Sequence, residues 1–130
     1  MLCDHPLLHP QLLRALAAAG HTDLVVIADA GLPLPSGVEV IDLSLVPGVP
    51  SFAEVLRAVL ASLVVEELVV AEETTGEPAD TVLAEHCAGL PRQTVPHAEL
   101  KRLCHSAHLI IRTGECTRYA NAALVAGVAF

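Results

Sequence analysis

Five consecutive apolar residues, Leu24–Ala28, stand between Gly20-His21-Thr22-Asp23 on one side and Asp29-Ala30-Gly31-Leu32-Pro33 on the other. So short an apolar run, bounded by turn residues, predicts a strand buried on both faces. Strands of that kind belong to parallel sheets covered by helices. His21 then precedes the strand and Asp29 follows it. Open α/β sheets bind ligands at the carboxyl ends of their strands. Asp29 therefore falls where a site is expected, on a loop held by Gly31, Pro33 and Pro35.

The rest of the chain alternates helix and strand. Pro10 to Ala19 predicts a helix, with Pro10 at its first position and Gly20 as its stop. Val38–Leu43 predicts a strand, and Pro47-Gly48-Val49-Pro50 a turn. Ser51-Phe52-Ala53-Glu54 is a capping-box pattern opening a helix to about Leu63. Glu67–Ala71 predicts a third strand. Pro78 to Ala88 predicts a helix closed by Gly89, and Gln93–Val95 a short strand. His97 to Ser106 predicts a helix and Leu109–Arg112 a strand. Thr113–Asn121 reads as a loop before a last strand, Ala122–Val128. This alternation predicts one α/β domain over residues 1–130, with a parallel-rich sheet and helices on both faces. There is no Gly-x-Gly-x-x-Gly or Walker-type loop to imply a nucleotide.

Composition narrows the partners. The chain is 53% hydrophobic but only 2% aromatic, so its apolar mass is aliphatic. Such a surplus in a small domain predicts that part of it is covered by other subunits. The formal net charge of −8, with scattered Lys and Arg, argues against nucleic acid and anionic membranes. No apolar run approaches the roughly 18–20 residues of a membrane span. The start Met-Leu-Cys-Asp-His-Pro has no signal-peptide shape. The expected location is the cytoplasm, with reduced cysteines.

Several segments, in order, carry a resemblance. They are Gly20-His21-Thr22-Asp23, Asp29-Ala30-Gly31-Leu32-Pro33-Leu34-Pro35, Gly48-Val49-Pro50-Ser51-Phe52, Ala71-Glu72-Glu73, Arg112-Thr113-Gly114-Glu115-Cys116, Tyr119-Ala120-Asn121 and Ala126-Gly127-Val128. Together they resemble the D-ribose pyranase branch of the ribose/fucose mutarotase family, over nearly the whole chain. L-fucose mutarotases share the layout, but their Gly-His block usually differs after the histidine. Thr22 and Asp29–Pro33 favour the ribose branch, whereas Pro10–Leu16 looks more like the fucose branch.

The resemblance implies a cofactor-independent, metal-independent isomerase that interconverts the β-pyranose and β-furanose forms of D-ribose. It implies His21 as general acid, and Asp29, His97, Tyr119, Ala120 and Asn121 as the residues that hold the monosaccharide. It further implies a place in ribose catabolism and a homodecamer of stacked pentamer rings with sites between subunits. Arg118 stands at a position where ribose enzymes often carry proline, and so bears on access to the site.

The residues alone leave blander readings open. A histidine's unperturbed pKa near 6.5 suits proton transfer, yet His21 also reads as a surface turn residue. A helix end and Asp23 are expected beside it. Asp29 could cap its own turn. His97 reads as a solvent-facing residue at a helix start, and Tyr119 as a packed loop tyrosine. Glu72 and Glu73 either orient a histidine, hold a neighbouring subunit or form a solvated pair. Candidate metal ligands (Cys3, Asp4, His5 and His9; His86 and Cys87; Cys104, His105 and His108) lack paired Cys-x-x-Cys spacing. Cys116 lacks an evident base. An L-fucose mutarotase and a non-catalytic sugar-binding module remain as alternatives.

Overall fold

In the computed structural model, which describes residues 7–130, Leu24–Ala28 forms strand β1 with every residue but the first fully buried. Helix α1 (Pro10–Ala17) precedes it. The rest follows in order as β2 (Val40–Asp42), α2 (Phe52–Leu60), β3 (Val65–Ala71), α3 (Pro78–His86), β4 (Arg92–Val95), α4 (His97–Leu103), β5 (Leu109–Arg112) and β6 (Ala122–Ala126). Short 3-10 turns occupy Glu72–Thr74 and Cys104–Ser106. The sheet has six strands in the order β2-β5-β1-β6-β3-β4.

The alternation correctly predicts the α/β class. The sheet itself is mixed rather than uniformly parallel. β1 and β2 run parallel to β5, and β3 to β4, but β6 is antiparallel to both β1 and β3. The cause is the link before β6. A parallel return needs a crossover of about a dozen residues or more, usually a helix. The chain between β5 and β6 is the loop 113–121, which has none. It can only arch over the end of β1 and come back down on the far side.

The two faces of the sheet are covered unequally. Leu12 and Leu16 of α1, Phe52, Val55, Leu56 and Val59 of α2, and Leu83 of α3 pack against Val25, Ile27, Leu68, Leu109, Ile111 and Leu124. Full burial of such side chains contributes about 1.5–3 kcal/mol each. The opposite face carries Val26, Val69, Ile110 and Ala123 under Leu100 and Cys104 of α4 and Leu32 of the loop after β1. The capping box holds as read: Ser51 Oγ accepts from the Glu54 N–H at 3.1 Å, and the Ser51 N–H donates to Glu54 Oε1 at 3.1 Å.

Element ends differ from expectation where local bonds intervene. α2 ends at Leu60, although the Ser62 and Leu63 amides still return to Val59. α4 tightens into 3-10 geometry at Cys104. β6 ends at Ala126, although the Gly127 N–H carries the same antiparallel register on to the Val64 carbonyl at 2.8 Å. No helix among the described residues is long and apolar enough to cross a membrane.

Candidate functional site

Because β6 is antiparallel to β1 and pairs Ala122 with Ile27, Asn121 arrives beside Asp29 although 92 positions separate them. Its Oδ1 accepts the Asp29 N–H at 2.8 Å, and its Nδ2 donates to Asp29 Oδ2 at 2.9 Å. Asp29 Oδ1 accepts the Gly31 N–H at 2.9 Å. The carboxylate is thereby fixed through both oxygens, each with one internal partner and acceptor capacity to spare. Asp29 thus caps its own turn and lies just past the carboxyl end of β1.

Arg112 braces this loop from behind. Its Nη2 donates to the Ala30 carbonyl at 2.7 Å and its Nη1 to Asp42 Oδ2 at 3.3 Å. The Ser44 hydroxyl and N–H, with help from Arg112, hold the Asp42 carboxyl below its usual range.

The other half of the site comes from α4 and the loop 113–121. The His97 N–H opens α4 and donates to both carboxylate oxygens of Glu73, at 3.0 and 3.2 Å. Glu73 thus holds the start of the helix that carries His97, not the imidazole itself. The His97 ring meets that of Tyr119 edge to face, with centroids 5.1 Å apart and planes at 79°. Its Nδ1 is buried without a partner.

Tyr119 has a left-handed backbone, φ 56°, secured by the Thr74 hydroxyl, which donates to its carbonyl at 2.9 Å. Such a conformation is uncommon outside glycine and tends to be retained where a site needs it. Two shallow hollows of about 400 and 280 Å³ meet here. Both are lined by Asp29, Gly31 and Arg118; His97 and Tyr119 line the smaller, Glu115 and Cys116 the larger.

Two expected site residues sit elsewhere. Ala120 is wholly buried, its methyl among the helices' core residues, so it presents no surface to a ligand. His21 lies before β1, whereas Asp29 lies after it. At about 3.3 Å per residue, the five-residue strand alone separates them by roughly 16 Å. The Gly20–Asp23 turn is closed by Asp23 Oδ2, which accepts the Gly20 N–H at 2.8 Å. The carboxylate facing the His21 ring is Glu66, not Asp23: both its oxygens lie 3.1 Å from Nε2. Asp23 is occupied with the turn and with His108, 3.9 Å away.

The alternative chemistries find little support among the described residues. Cys3, Asp4 and His5 lie outside them. His9 caps α1, its Nδ1 accepting from the Leu12 N–H at 3.1 Å. Cys104 is buried under the α4 face, while the His108 ring reaches the Ala15 carbonyl of α1 at 2.8 Å. Burial pushes the Cys87 and Cys104 thiols up, away from thiolate chemistry. Glu115 is structural, accepting from the Phe52 N–H at the start of α2 at 3.1 Å.

Asn121 is almost fully buried, so the clamp on Asp29 makes a stability prediction. Asn121→Ala strands the Asp29 amide and is expected to cost about 1–3 kcal/mol. Asn121→Asp sets a second carboxylate against Asp29 Oδ2 and should cost more. Denaturant unfolding of both variants checks this; a wild-type midpoint in Asn121→Asp would show that the Nδ2 contact carries no weight.

The family described as the RbsD / FucU transport protein family matches residues 3–129. A D-ribose pyranase of Variovorax paradoxus is 50% identical over 128 residues, covering 95% of this chain and 96% of the relative. One of Pseudomonas entomophila is 49% identical over 130 residues, covering 96% and 97%. Among solved structures, Bacillus subtilis RbsD complexed with D-ribose superposes with a TM-score of 0.93 at 40% identity, covering 99% of this chain and all of the other. The fucose mutarotase of Streptococcus pneumoniae in complex with L-fucose reaches 0.85 at 23% identity, a likeness of fold.

Proposed function

This chain belongs to the RbsD / FucU transport protein family, and on that premise we propose that it is an isomerase that speeds exchange between the β-pyranose and β-furanose forms of D-ribose. The observation that carries the reading is the clamped Asp29 carboxylate. Both its oxygens keep acceptor capacity for hydroxyl groups, beside a histidine and a tyrosine and among relatives that are D-ribose pyranases.

The chemistry needs no electron transfer. A base takes the proton of the anomeric hydroxyl, the bond from the anomeric carbon to the ring oxygen breaks, and an acid protonates that oxygen. The open-chain aldehyde results. A different hydroxyl then adds to the aldehyde carbon, giving up its proton while the carbonyl oxygen takes one. We assign His21 as the acid. Asp29, His97, Tyr119 and Asn121 hold the sugar, Asn121 largely by fixing Asp29.

His21 and Asp29 flank the same strand at opposite ends, so one chain cannot bring both to one pentose. The assembly we propose is therefore a homo-oligomer in which His21 of one copy faces the Asp29 loop of another; the resemblance to the family makes it a decamer of two stacked pentamer rings. The hollows at Asp29 are open, and a third hollow adjoining at Ala30 and Cys116 is lined by the exposed Leu45 and Val46, as a surface awaiting a neighbour would be. We place the reaction in the cytoplasm.

Proton saturation-transfer NMR tests the function. Catalytic amounts of protein are expected to speed pyranose–furanose exchange of D-ribose. Acceleration of L-fucose anomer exchange alone would assign the chain to the other reaction of its family. Line broadening without acceleration of either sugar would leave a binding module.

A further inference from the structure

Glu66 does not sit on β3 by ordinary pleating. The β3–β6 ladder pairs Val65 with Ala126 and Glu67 with Val125, so two steps along β3 match one along β6. Glu66 is the extra residue of a β-bulge. Bulges re-aim side chains and recur beside active sites. Here the bulge lets Val65, Leu68 and Val70 all pack on the same helix-covered face, despite the odd spacing of the first two. Without it, alternation would turn Glu66 toward that apolar face. With it, the carboxylate swings to the sheet edge and both oxygens lie 3.1 Å from Nε2 of His21.

Two further features serve the same contact. Thr22 holds a left-handed backbone, φ 72°, which for a β-branched residue is an outlier. Its N–H donates to the Ala126 carbonyl at 2.8 Å, docking the His21 turn onto the end of β6. Opposite the carboxylate stands Gly127, where a Cβ would come within 3.2 Å of Glu66 Oε2.

We propose that Glu66 is the positioning residue of His21. The inference rests on the reading of His21 as the acid. A carboxylate can only accept, so Nε2 carries the proton that faces Glu66. The ring is held through Nε2, which leaves Nδ1 as the atom that hands its proton to the ring oxygen of the sugar and takes one back. Glu66 touches neither sugar nor reacting atom.

The test measures ribose exchange rates against ribose concentration for wild type, Glu66→Ala, Glu66→Gln, Gly127→Ala, His21→Ala and the His21→Ala/Glu66→Ala double variant. Glu66→Ala is expected to lower kcat about tenfold, the worth of one charge-assisted hydrogen bond at a partly exposed site. KM, oligomer size and thermal midpoint should stay near wild type. Glu66→Gln keeps an acceptor oxygen for Nε2 and should recover most of the rate. Gly127→Ala, which crowds the carboxylate, should lie between. The double variant should be no slower than His21→Ala. A wild-type kcat in Glu66→Ala, alongside an inactive His21→Ala, overturns the inference and spares the reading of His21. Full activity in His21→Ala overturns that reading instead. A Glu66→Gln rate as low as Glu66→Ala, or a loss tracking the thermal midpoint, also overturns the positioning role.

Discussion

His21→Ala is expected to slow pyranose–furanose exchange of D-ribose by about 10²- to 10⁴-fold, the range a well-placed general acid supplies. Its stability should barely change, because the ring is more than half exposed and its contact outside its own turn is with Glu66. Asp29→Ala is expected to act differently, by weakening sugar binding and loosening the loop that Gly31 and Asn121 tie to that carboxylate. The geometry makes a sharper demand of the two together. β1 holds its two flanking residues at opposite edges of the sheet. If each site takes His21 from one copy and Asp29 from another, two inactive variants can complement. In oligomers assembled at random from equal amounts of both, about one site in four draws both wild-type residues, a consequence of contacts that join two different patches. Co-refolded His21→Ala and Asp29→Ala should therefore recover about a quarter of wild-type activity, whereas separately refolded samples mixed afterwards should not. No recovery, with mixed oligomers demonstrated, would mean that the two residues do not serve one site.

How far the amino-acid sequence discloses this arrangement depends on the range of the forces involved. β1 and β5 are legible to the residue, since a short apolar run between turn signals has one economical fate. The α2 capping box is equally local. Parallel pairing is legible only for strands joined by helices; β6 breaks it, and the signal was the helix-free loop 113–121. Asp29, His97, Tyr119 and Asn121 were identifiable as candidates, Asp29 by its place after a strand and the rest chiefly by resemblance. Their convergence was not, because it follows from the antiparallel register of β6. Glu66 was missed altogether. It lies before the point where alternation becomes readable, and its aim is set by a bulge, which depends on the partner strand. The expected neighbour of His21 was Asp23, the nearest carboxylate in sequence. That carboxylate closes its own turn instead, as a short acidic side chain readily does.

Gly114→Ala is expected to be the most damaging single methyl addition in the molecule. Gly48-Val49-Pro50 and Gly114-Glu115-Cys116 are two separate matching blocks in the sequence, and in the fold they lock together. The Gly48 N–H donates to the Gly114 carbonyl at 2.6 Å, and the Gly114 N–H donates to the Pro50 carbonyl at 2.8 Å. A Cβ on Gly114 would fall 2.4 Å from the Val49 oxygen and 2.7 Å from its nitrogen and carbonyl carbon. These are backbone atoms and cannot rotate aside. The two segments must part, which breaks both hydrogen bonds and moves the start of the loop that delivers Arg118, Tyr119 and Asn121 to Asp29. Overpacking alone costs about 1–3 kcal/mol, and loss of two backbone bonds adds about 1–3 kcal/mol more. Against a total stability of about 5–15 kcal/mol, Gly114→Ala should lower the unfolding midpoint severely and weaken ribose binding in whatever fraction remains folded. Gly89→Ala supplies the control, since a Cβ there meets nothing within 4 Å; its midpoint should stay near wild type. Equal midpoints for the two variants would show that the turn at Val49 yields freely, and that the loop carrying Tyr119 and Asn121 is not held in place by this lock.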